Sequence, residues 1–249
     1  MLSKSQIGFI KSLHQKKYRK ENATFIIEGI KSILEFISSP YQIHSIYFVS
    51  EFSSLLTNLP ANIKLFEVNN AELEKISTLQ TPQGILALVH IPNSAVIDPD
   101  AFSNSFSIVL DGIQDPGNLG TIIRTADWFG IKHVICSPNT VEVYNPKTVQ
   151  ATMGSLSRVK VHYTDIASFL EQTDVPIFGA VLDGDSLYTT DWGGAGMIVL
   201  GNEGQGISPA VMQLITNPVT IPRVGEAESL NVAISAAILC ADISRKLLK

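Results

Sequence analysis

The sequence has few of the features that mark a disulfide-stapled or metal-binding protein. It contains two cysteines in 249 residues, Cys136 and Cys240, and both lie in apolar surroundings. Two distant thiols of this kind are typical of buried, reduced cysteines in a cytosolic protein, so no disulfide is expected. The five histidines keep no ligand spacing with one another or with the cysteines. We therefore predict no metal site.

Long apolar runs are also scarce. The N-terminus lacks the apolar segment of a signal peptide, and the longest apolar stretch, residues 232–248, is interrupted by Asp242, Arg245 and Lys246. That stretch is too short to span a bilayer, so we expect a cytoplasmic protein with no membrane partner. Hydrophobic residues make up 45% of the chain and charged residues 16%, which is typical of a globular protein of one large or two ordinary domains.

Positive charge is concentrated near the N-terminus. Residues 1–95 hold nine Lys/Arg and seven Asp/Glu, a net charge of +2, whereas the remainder has a net charge of −7. Such a run is either a solvated helix face or a patch that contacts phosphates, and an acidic protein that binds RNA must concentrate its cations somewhere. Six cations precede the first acidic residue, Glu21, and form the candidate RNA-binding set: Lys4, Lys11, Lys16, Lys17, Arg19 and Lys20.

Hydrophobic periodicity predicts two α/β domains. Residues 1–95 alternate helices and strands, beginning with a helix that Ser3 caps and that runs to about Lys17. Polar and proline-bearing residues at 96–105 indicate a linker. Short apolar strands separated by helices in 106–249 predict a parallel sheet covered on both faces. The last helix is apolar nearly all round, which indicates burial in a core or against a second chain.

Three glycine-rich segments in the C-terminal half each follow a probable strand. They span residues 111–124, 198–207 and 221–232, and each carries a polar residue suited to chemistry: Arg124, Glu203 and Asn231. Glycines at strand ends leave backbone N–H and C=O groups accessible, which suits a polar ligand that bears an adenine. Together the three segments predict one composite site.

These segments resemble the three motifs of the SpoU (TrmH-like) RNA 2′-O-methyltransferases of the SPOUT superfamily. The motifs Asn-x-Gly-x-x-x-Arg, Gly-Asn-Glu-Gly-x-Gly and Ser-Leu-Asn-Val occur in the family's order between residue 107 and the C-terminus. A fourth stretch, 145–155, is similar to a further family segment, although Gln150 and Thr152 stand where relatives usually carry Arg and Ser. Residues 25–29 and 81–85 resemble signatures of the small substrate-binding domain, itself similar to an RNA-binding ribosomal protein, that precedes the catalytic domain in many members.

The resemblance implies a homodimer whose catalytic domain contains a deep trefoil knot and uses S-adenosylmethionine. It implies an RNA substrate, with ribosomal RNA favoured over transfer RNA because the basic run lies in the domain that resembles a ribosomal RNA binder. It assigns catalytic roles to Arg124, Asn118, Glu203, Ser229 and Asn231. It assigns cofactor contacts to Leu200, Gly201, Gly206, Ile221 and Leu230.

Each assignment has a simpler alternative. Arg124, placed near the start of a helix where the helix dipole opposes a cation, could form an ion pair with Asp115 or Asp127 instead of facing a phosphate. Ser229 or Asn231 could cap the final helix, and Gly201 and Gly206 could serve only a tight turn. The whole chain could also be a non-catalytic RNA- or ribosome-binding protein. A dinucleotide-binding enzyme is disfavoured, because no Gly-x-Gly-x-x-Gly follows a first strand.

Overall fold

A computed structural model describes residues 1–57, 59–93 and 102–247, excluding the side chain of Leu247. The helices are α1 Lys4–Ser12, α2 Lys16–Asn22, α3 Ile30–Ile37, α4 Asn70–Ile76, α5 Pro116–Trp128, α6 Pro146–Thr152, α7 Ile166–Leu170, α8 Pro209–Met212 and α9 Val232–Leu247, with 3₁₀ turns at Ser50–Leu55 and Ser155–Ser157. The strands are β1 Thr24–Glu28, β2 Ile43–Phe48, β3 Lys64–Glu67, β4 Ile85–His90, β5 Phe106–Asp111, β6 His133–Cys136, β7 Lys160–Tyr163, β8 Ile177–Ser186, β9 Gly196–Gly201 and β10 Asn217–Thr220.

The chain forms two compact units, and the division interrupts the sequence. The first unit comprises Met1–Asn93 and Glu142–Ser157, and the second comprises Ser94–Val141 and Arg158–Lys249. The segment Glu142–Ser157, which contains α6, therefore packs with the N-terminal residues although the sequence places it in the C-terminal domain. Of the predicted linker, residues 96–101 lie outside the described residues. Phe102 is buried in the core of the second unit, so it is not part of a linker.

The first unit is built on a mixed sheet in the order β1-β4-β2-β3. β4 is antiparallel to both β1 and β2, while β3 runs parallel to β2. Ser3 caps α1 as predicted, but the helix ends at Ser12 and α2 begins at Lys16. The break follows from packing, because Leu13 is fully buried and its carbonyl accepts a hydrogen bond from the Arg19 side chain at 2.9 Å.

The two N-terminal signatures meet at one end of this sheet. The buried carboxylate of Glu28 accepts hydrogen bonds from Ser77 and Thr78. Gly29 has φ +91°, and a Cβ at this position would lie 2.2 Å from Oε1 of Gln83. The positive φ favours glycine at this position, whereas the Gln83 side chain could move away. The signatures therefore have a structural reason that is independent of RNA.

Arg19 was predicted to contact RNA, and the structure contradicts that prediction. Its side chain is 2% exposed, with Nη2 lying 2.6 Å from Oε2 of Glu142 and Nε 3.3 Å from Oε1. A guanidinium held by both carboxylate oxygens is not available to a phosphate. It instead fastens the start of the Glu142–Ser157 segment to α2. The other predicted RNA-binding residues are exposed: Lys4, Lys11, Lys16, Lys17 and Lys20.

The second unit is built on a fully parallel sheet in the order β10-β8-β9-β5-β6-β7. The predicted parallel sheet is confirmed, but β7 and β10 were not predicted. Both are four-residue strands at the edges of the sheet, and apart from the buried Val219 their residues are exposed or half-exposed, so neither has a continuous apolar run. The knot stays a prediction from the resemblance. Within the described ranges, no helix has the length and apolarity needed to cross a membrane.

We predict that Arg19→Ala lowers the free energy of unfolding by about 2 to 4 kcal/mol, because it leaves the Glu142 carboxylate and the Leu13 carbonyl without their donor. The effect lies toward the lower part of the range for broken buried pairs, since Glu142 is 17% exposed. The exposed neighbour Lys20→Ala is the control and should change stability by less than about 0.5 kcal/mol. Urea denaturation measures both, and equal midpoints for the two variants would contradict a structural role for Arg19.

Candidate active site

The first two glycine-rich segments lie side by side in the second unit. β5 and β9 are parallel neighbours, and their last residues, Asp111 and Gly201, are in register. Asn202 then joins the two loops. Its Nδ2 donates to the Gly112 carbonyl at 2.7 Å, and its Oδ1 accepts from the backbone of Gly204 and Gln205 at 2.9 and 3.0 Å. The side-chain amide of Asn202 therefore holds the two loops together and also closes the turn after β9.

The glycines of that turn have different reasons to be glycine. A Cβ on Gly201 would lie 2.2 Å from the backbone carbon of Gly206, so the turn itself requires glycine at residue 201. Gly206 has φ +71°, but a Cβ there would meet nothing within 4 Å. The tight turn alone is therefore sufficient to explain why residue 201 is glycine. The space beside Gly206 is open to a ligand, although its N–H and C=O both pair with the backbone of Asn202.

Three predicted catalytic residues form a hydrogen-bonded chain that joins all three segments. Nδ2 of Asn118, in the first turn of α5, donates to Oε1 of Glu203 at 2.9 Å. Nδ2 of Asn231, which immediately precedes α9, donates to Oδ1 of Asn118 at 2.9 Å. Because both ends of the Asn118 amide are engaged, its orientation is fixed, and one N–H of its Nδ2 remains for another acceptor. Residues 85 and 113 positions from Asn118 are thus brought to one point.

The capping alternatives are resolved by the start of α9. Oδ1 of Asn231 accepts hydrogen bonds from the backbone N–H groups of Ala233 and Ile234 at 2.9 and 3.3 Å. Asn231 therefore caps the helix and holds Asn118 at the same time, with a different atom for each role. Ser229 is exposed and lies outside this chain of side chains. Its catalytic role stays a prediction.

Arg124 stands apart from the hydrogen-bonded chain. It is the ninth of the 13 residues of α5, so the prediction that it lies near the N-terminal end of the helix is wrong and the dipole argument does not apply. Neither predicted partner holds it, since Asp115 caps α5 by accepting from Asn118 N–H and Asp127 pairs with Arg158 at 2.8 Å. Among the described residues Arg124 forms no ion pair, and its side chain is exposed.

The predicted cofactor residues differ in what they can offer. Leu200 is 1% exposed as a whole residue and packs in the core, so any contact with a ligand would come from its backbone at the end of β9. Ile221 follows β10 and is half-buried, while Leu230 is 49% exposed. Sequence reasoning assigned no role to Asn202 or to Asp111, whose Oδ2 accepts from Ser208 N–H at 2.7 Å. Both were visible as the polar residues next to the glycines at the ends of β5 and β9.

Comparison with known proteins settles the family. The profile of the SpoU rRNA Methylase family matches residues 105–241, more than half of the chain. The chain belongs to the SpoU rRNA methylase family. Residues 4–87 match the profile of the MRM3-like substrate binding domain. Membership confirms the predicted resemblance and replaces the dinucleotide-binding alternative.

Relatives of this SpoU chain are similar over nearly its full length. It is 31% identical over 233 residues to the 23S rRNA (guanosine(2553)-2′-O)-methyltransferase RlmP of Bacillus subtilis, covering 92% of each chain. A Porphyromonas gingivalis structure assigned to the TrmH family of RNA methyltransferases has a TM-score of 0.89 at 38% identity, over 99% of both chains. An AdoMet-bound rRNA methyltransferase from Sinorhizobium meliloti has a TM-score of 0.89 at 26% identity, over 100% of this chain and 98% of that one.

Two variants of Asn231 separate its two roles. Asn231→Asp keeps an oxygen that caps α9 but removes the amide that donates to Asn118, so we expect near-normal stability with a clear loss of methyl transfer. Asn231→Ala removes both contacts and should also destabilise the protein, by about 0.5 to 2 kcal/mol for the lost cap. Thermal unfolding and single-turnover methyl transfer measure the pair. Full activity in the Asp variant would show that the bond to Asn118 has no part in catalysis.

Proposed function

We propose that this chain is an S-adenosylmethionine-dependent RNA 2′-O-methyltransferase that acts on ribosomal RNA. The observation that carries the proposal is the chain Glu203–Asn118–Asn231, which unites the three family motifs at the carboxyl ends of the parallel strands, where ligands bind in open α/β sheets. Support also comes from the RlmP relative, whose name assigns it 2′-O-methylation of 23S rRNA.

The turn after β9 suits the proposed methyl donor. Asn202 takes up the N–H groups of Gly204 and Gly206, so the turn offers a ligand its carbonyl oxygens and the open space beside Gly206. We propose that the backbones of Leu200, Gly201 and Gly206, with the apolar side chains of Ile221 and Leu230, hold S-adenosylmethionine. When bound, this cofactor supplies an electrophilic methyl group on a sulfonium.

Arg124 would act by its charge. A new C–O bond to the ribose forms as the C–S bond breaks, and the hydroxyl proton must leave. With a reference pKa of ~13.8, an arginine base would cost roughly 9 kcal/mol to deprotonate at pH 7. We therefore propose that Arg124 binds an RNA phosphate or stabilises the developing alkoxide, and that phosphate or water takes the proton. Its exposure and lack of an ion pair among the described residues leave it available for this role.

The fixed amide of Asn118 would position the ribose. Glu203 and Asn231 hold it from both sides, so its remaining N–H points in one direction without any cost of ordering at the moment of reaction. Glu203 acts as the acceptor that orients the amide. We keep Ser229 in the proposed site as a residue that aligns the loop before α9.

We propose that the first unit selects the RNA through its exposed lysines at 4, 11, 16, 17 and 20. Removal of residues 1–97 is a poor test of this role, because Glu142–Ser157 would lose the partners on which it packs.

We further propose that the protein works in the cytoplasm, where its substrate is made, and as a homodimer. The exposed Ile234 on α9, 51% accessible, supports a second copy covering that helix. Sedimentation at micromolar concentration decides the last point.

The proposed function is tested by offering labelled S-adenosylmethionine with ribosomal or transfer RNA from cells that lack this gene. We expect the label in ribosomal RNA, at the 2′-oxygen of one nucleotide. Label in transfer RNA alone would overturn the substrate, and no label in either RNA, with RNA still bound, would favour the non-catalytic RNA-binding alternative.

We predict that Arg124→Ala abolishes methyl transfer while the affinity for S-adenosylmethionine stays within a few-fold, because the arginine faces RNA and backbone loops hold the cofactor. Arg124→Lys is the matched variant, which keeps the charge but loses the planar fork. Calorimetry and single-turnover assays measure both. A comparable loss of cofactor binding in a folded Ala variant would refute this division of roles.

A further inference from the structure

The second unit carries a cationic surface that none of its motifs contains. It is formed by Trp128, Lys132, Arg158 and Lys160, which we name the α5–β7 patch. These residues lie at the C-terminal end of α5 and at the amino-terminal ends of β6 and β7. The candidate active site lies at the carboxyl ends of the strands of this sheet, so the patch lies at the opposite, amino-terminal ends.

Pairing between neighbouring strands assembles the patch. The backbone N–H of Lys160 donates to the carbonyl of Lys132 at 2.9 Å, which places the two lysines next to each other. Arg158 and Lys160 are both exposed, whereas Val159 between them is 3% exposed, so the two cations share the solvent side. Arg158 reaches α5 through Asp127, the residue before Trp128, with a contact of 2.8 Å.

The patch is positive overall. Asp127 offsets Arg158, but neither Lys132 nor Lys160 forms an ion pair within the described part of the chain. Three of the nine cations of residues 96–249, a stretch with a net charge of −7, thus come together on one surface. The charges of Lys132 and Lys160 are not offset by an ion pair among the described residues, so the surface attracts a polyanion.

Two half-buried histidines lie in the strands next to these lysines. His133 and His162 stack at 5.4 Å, and the Nδ1 of His133 lies 3.1 Å from the Nε2 of His162. Burial, His162, Lys160 and Lys132 lower the pKa of His133 to about 4. Burial and Lys160 also lower the pKa of His162. Besides burial and the neighbouring histidine, the groups that lower these pKa values are the two lysines of the patch.

Trp128 adds an aromatic surface at the margin of the patch. It is 83% exposed at the end of α5, whereas Trp192, the other tryptophan, is 2% exposed and donates to Asp242. A large exposed aromatic beside unpaired cations is the combination that binds single-stranded nucleic acid, because bases stack on the ring while cations follow the phosphates.

We propose that the α5–β7 patch is a second RNA-binding surface. It binds a single-stranded part of the substrate that is distant from the methylated nucleotide. The lysines contact phosphates and Trp128 stacks on a base. This inference rests on the proposed function. RNA fits better than a protein partner because the two lysines are exposed and lack carboxylate partners, whereas protein interfaces are depleted in lysine.

The charge is tested by the double variant Lys132→Ala/Lys160→Ala, with Lys64→Ala/Lys75→Ala as a control that removes two exposed lysines outside the patch and the N-terminal run. Binding of a mixed-sequence single-stranded RNA oligonucleotide is measured at several salt concentrations. We expect the patch variant to reduce the slope of log K against log salt by about 1.4, at roughly 0.7 per phosphate contact on a single strand. Equal reductions in both double variants would overturn the proposal.

The aromatic contact is read directly from tryptophan emission. The exposed Trp128 should give the red-shifted component, and bound oligonucleotide should quench it and protect it from acrylamide. Trp128→Phe should remove that component and retain most of the affinity, while Trp128→Ala should weaken binding by about five-fold or more. Unchanged emission with RNA bound, or a shift that follows protein concentration without RNA, would assign the surface to solvent or to a second copy.

Different results would contradict the α5–β7 patch and the proposed function. Ribosomal RNA that is methylated equally well by wild type, Trp128→Ala and the patch double variant, at limiting RNA, would overturn the patch and leave the proposed function standing. A wild-type chain that neither binds nor methylates RNA would overturn both.

Discussion

The turn that follows β9 exists because residue 201 has no side chain. A Cβ on Gly201 would lie 2.2 Å from the backbone carbon of Gly206, so any other residue would open the turn. With the turn closed, Asn202 pairs with Gly206 through both backbone groups and ties the loop to Gly112 through its side chain. Glu203 is the next residue and is therefore delivered to Asn118. The polar chain of the candidate site depends on this backbone approach, which is fixed before any ligand binds.

One asparagine, Asn231, has two roles at the start of α9. Oδ1 of Asn231 caps the helix and Nδ2 holds Asn118, so the position of a 16-residue helix is coupled to the orientation of one amide. The far end of α9 is anchored as well, because the buried Asp242 accepts from Trp192 and Lys246 donates to the carbonyl of Thr190. A helix held at both ends gives Asn118 a rigid partner, which is what a positioning group requires.

The structure joins Asn118, Glu203 and Asn231 by hydrogen bonds and leaves Arg124 outside them. Sequence reasoning predicted the parallel sheet from its apolar strands and one composite site of Arg124, Glu203 and Asn231 from the glycine-rich segments, while Asn118 was assigned from the family resemblance. It missed β7 and β10, because four-residue strands at sheet edges carry little apolar signal. It placed Arg124 near the start of α5, although a helix that begins at Pro116 makes Arg124 its ninth residue. It could not foresee that Glu142–Ser157 packs with the first unit, because that depends on contacts distant in sequence.

Charged residues that are close in this sequence differ from those that are close in the structure. Arg19 lies within a run of lysines, yet a carboxylate 123 residues away removes it from the surface. Lys132, Arg158 and Lys160 lie in a stretch whose net charge is negative, yet β6 and β7 bring them together. Since phosphate binding responds to charges close in space rather than in sequence, the run overstates the cations of the first unit and the net charge understates those of the second. An RNA that touches both units would meet lysines on each, so overall acidity is no obstacle to binding.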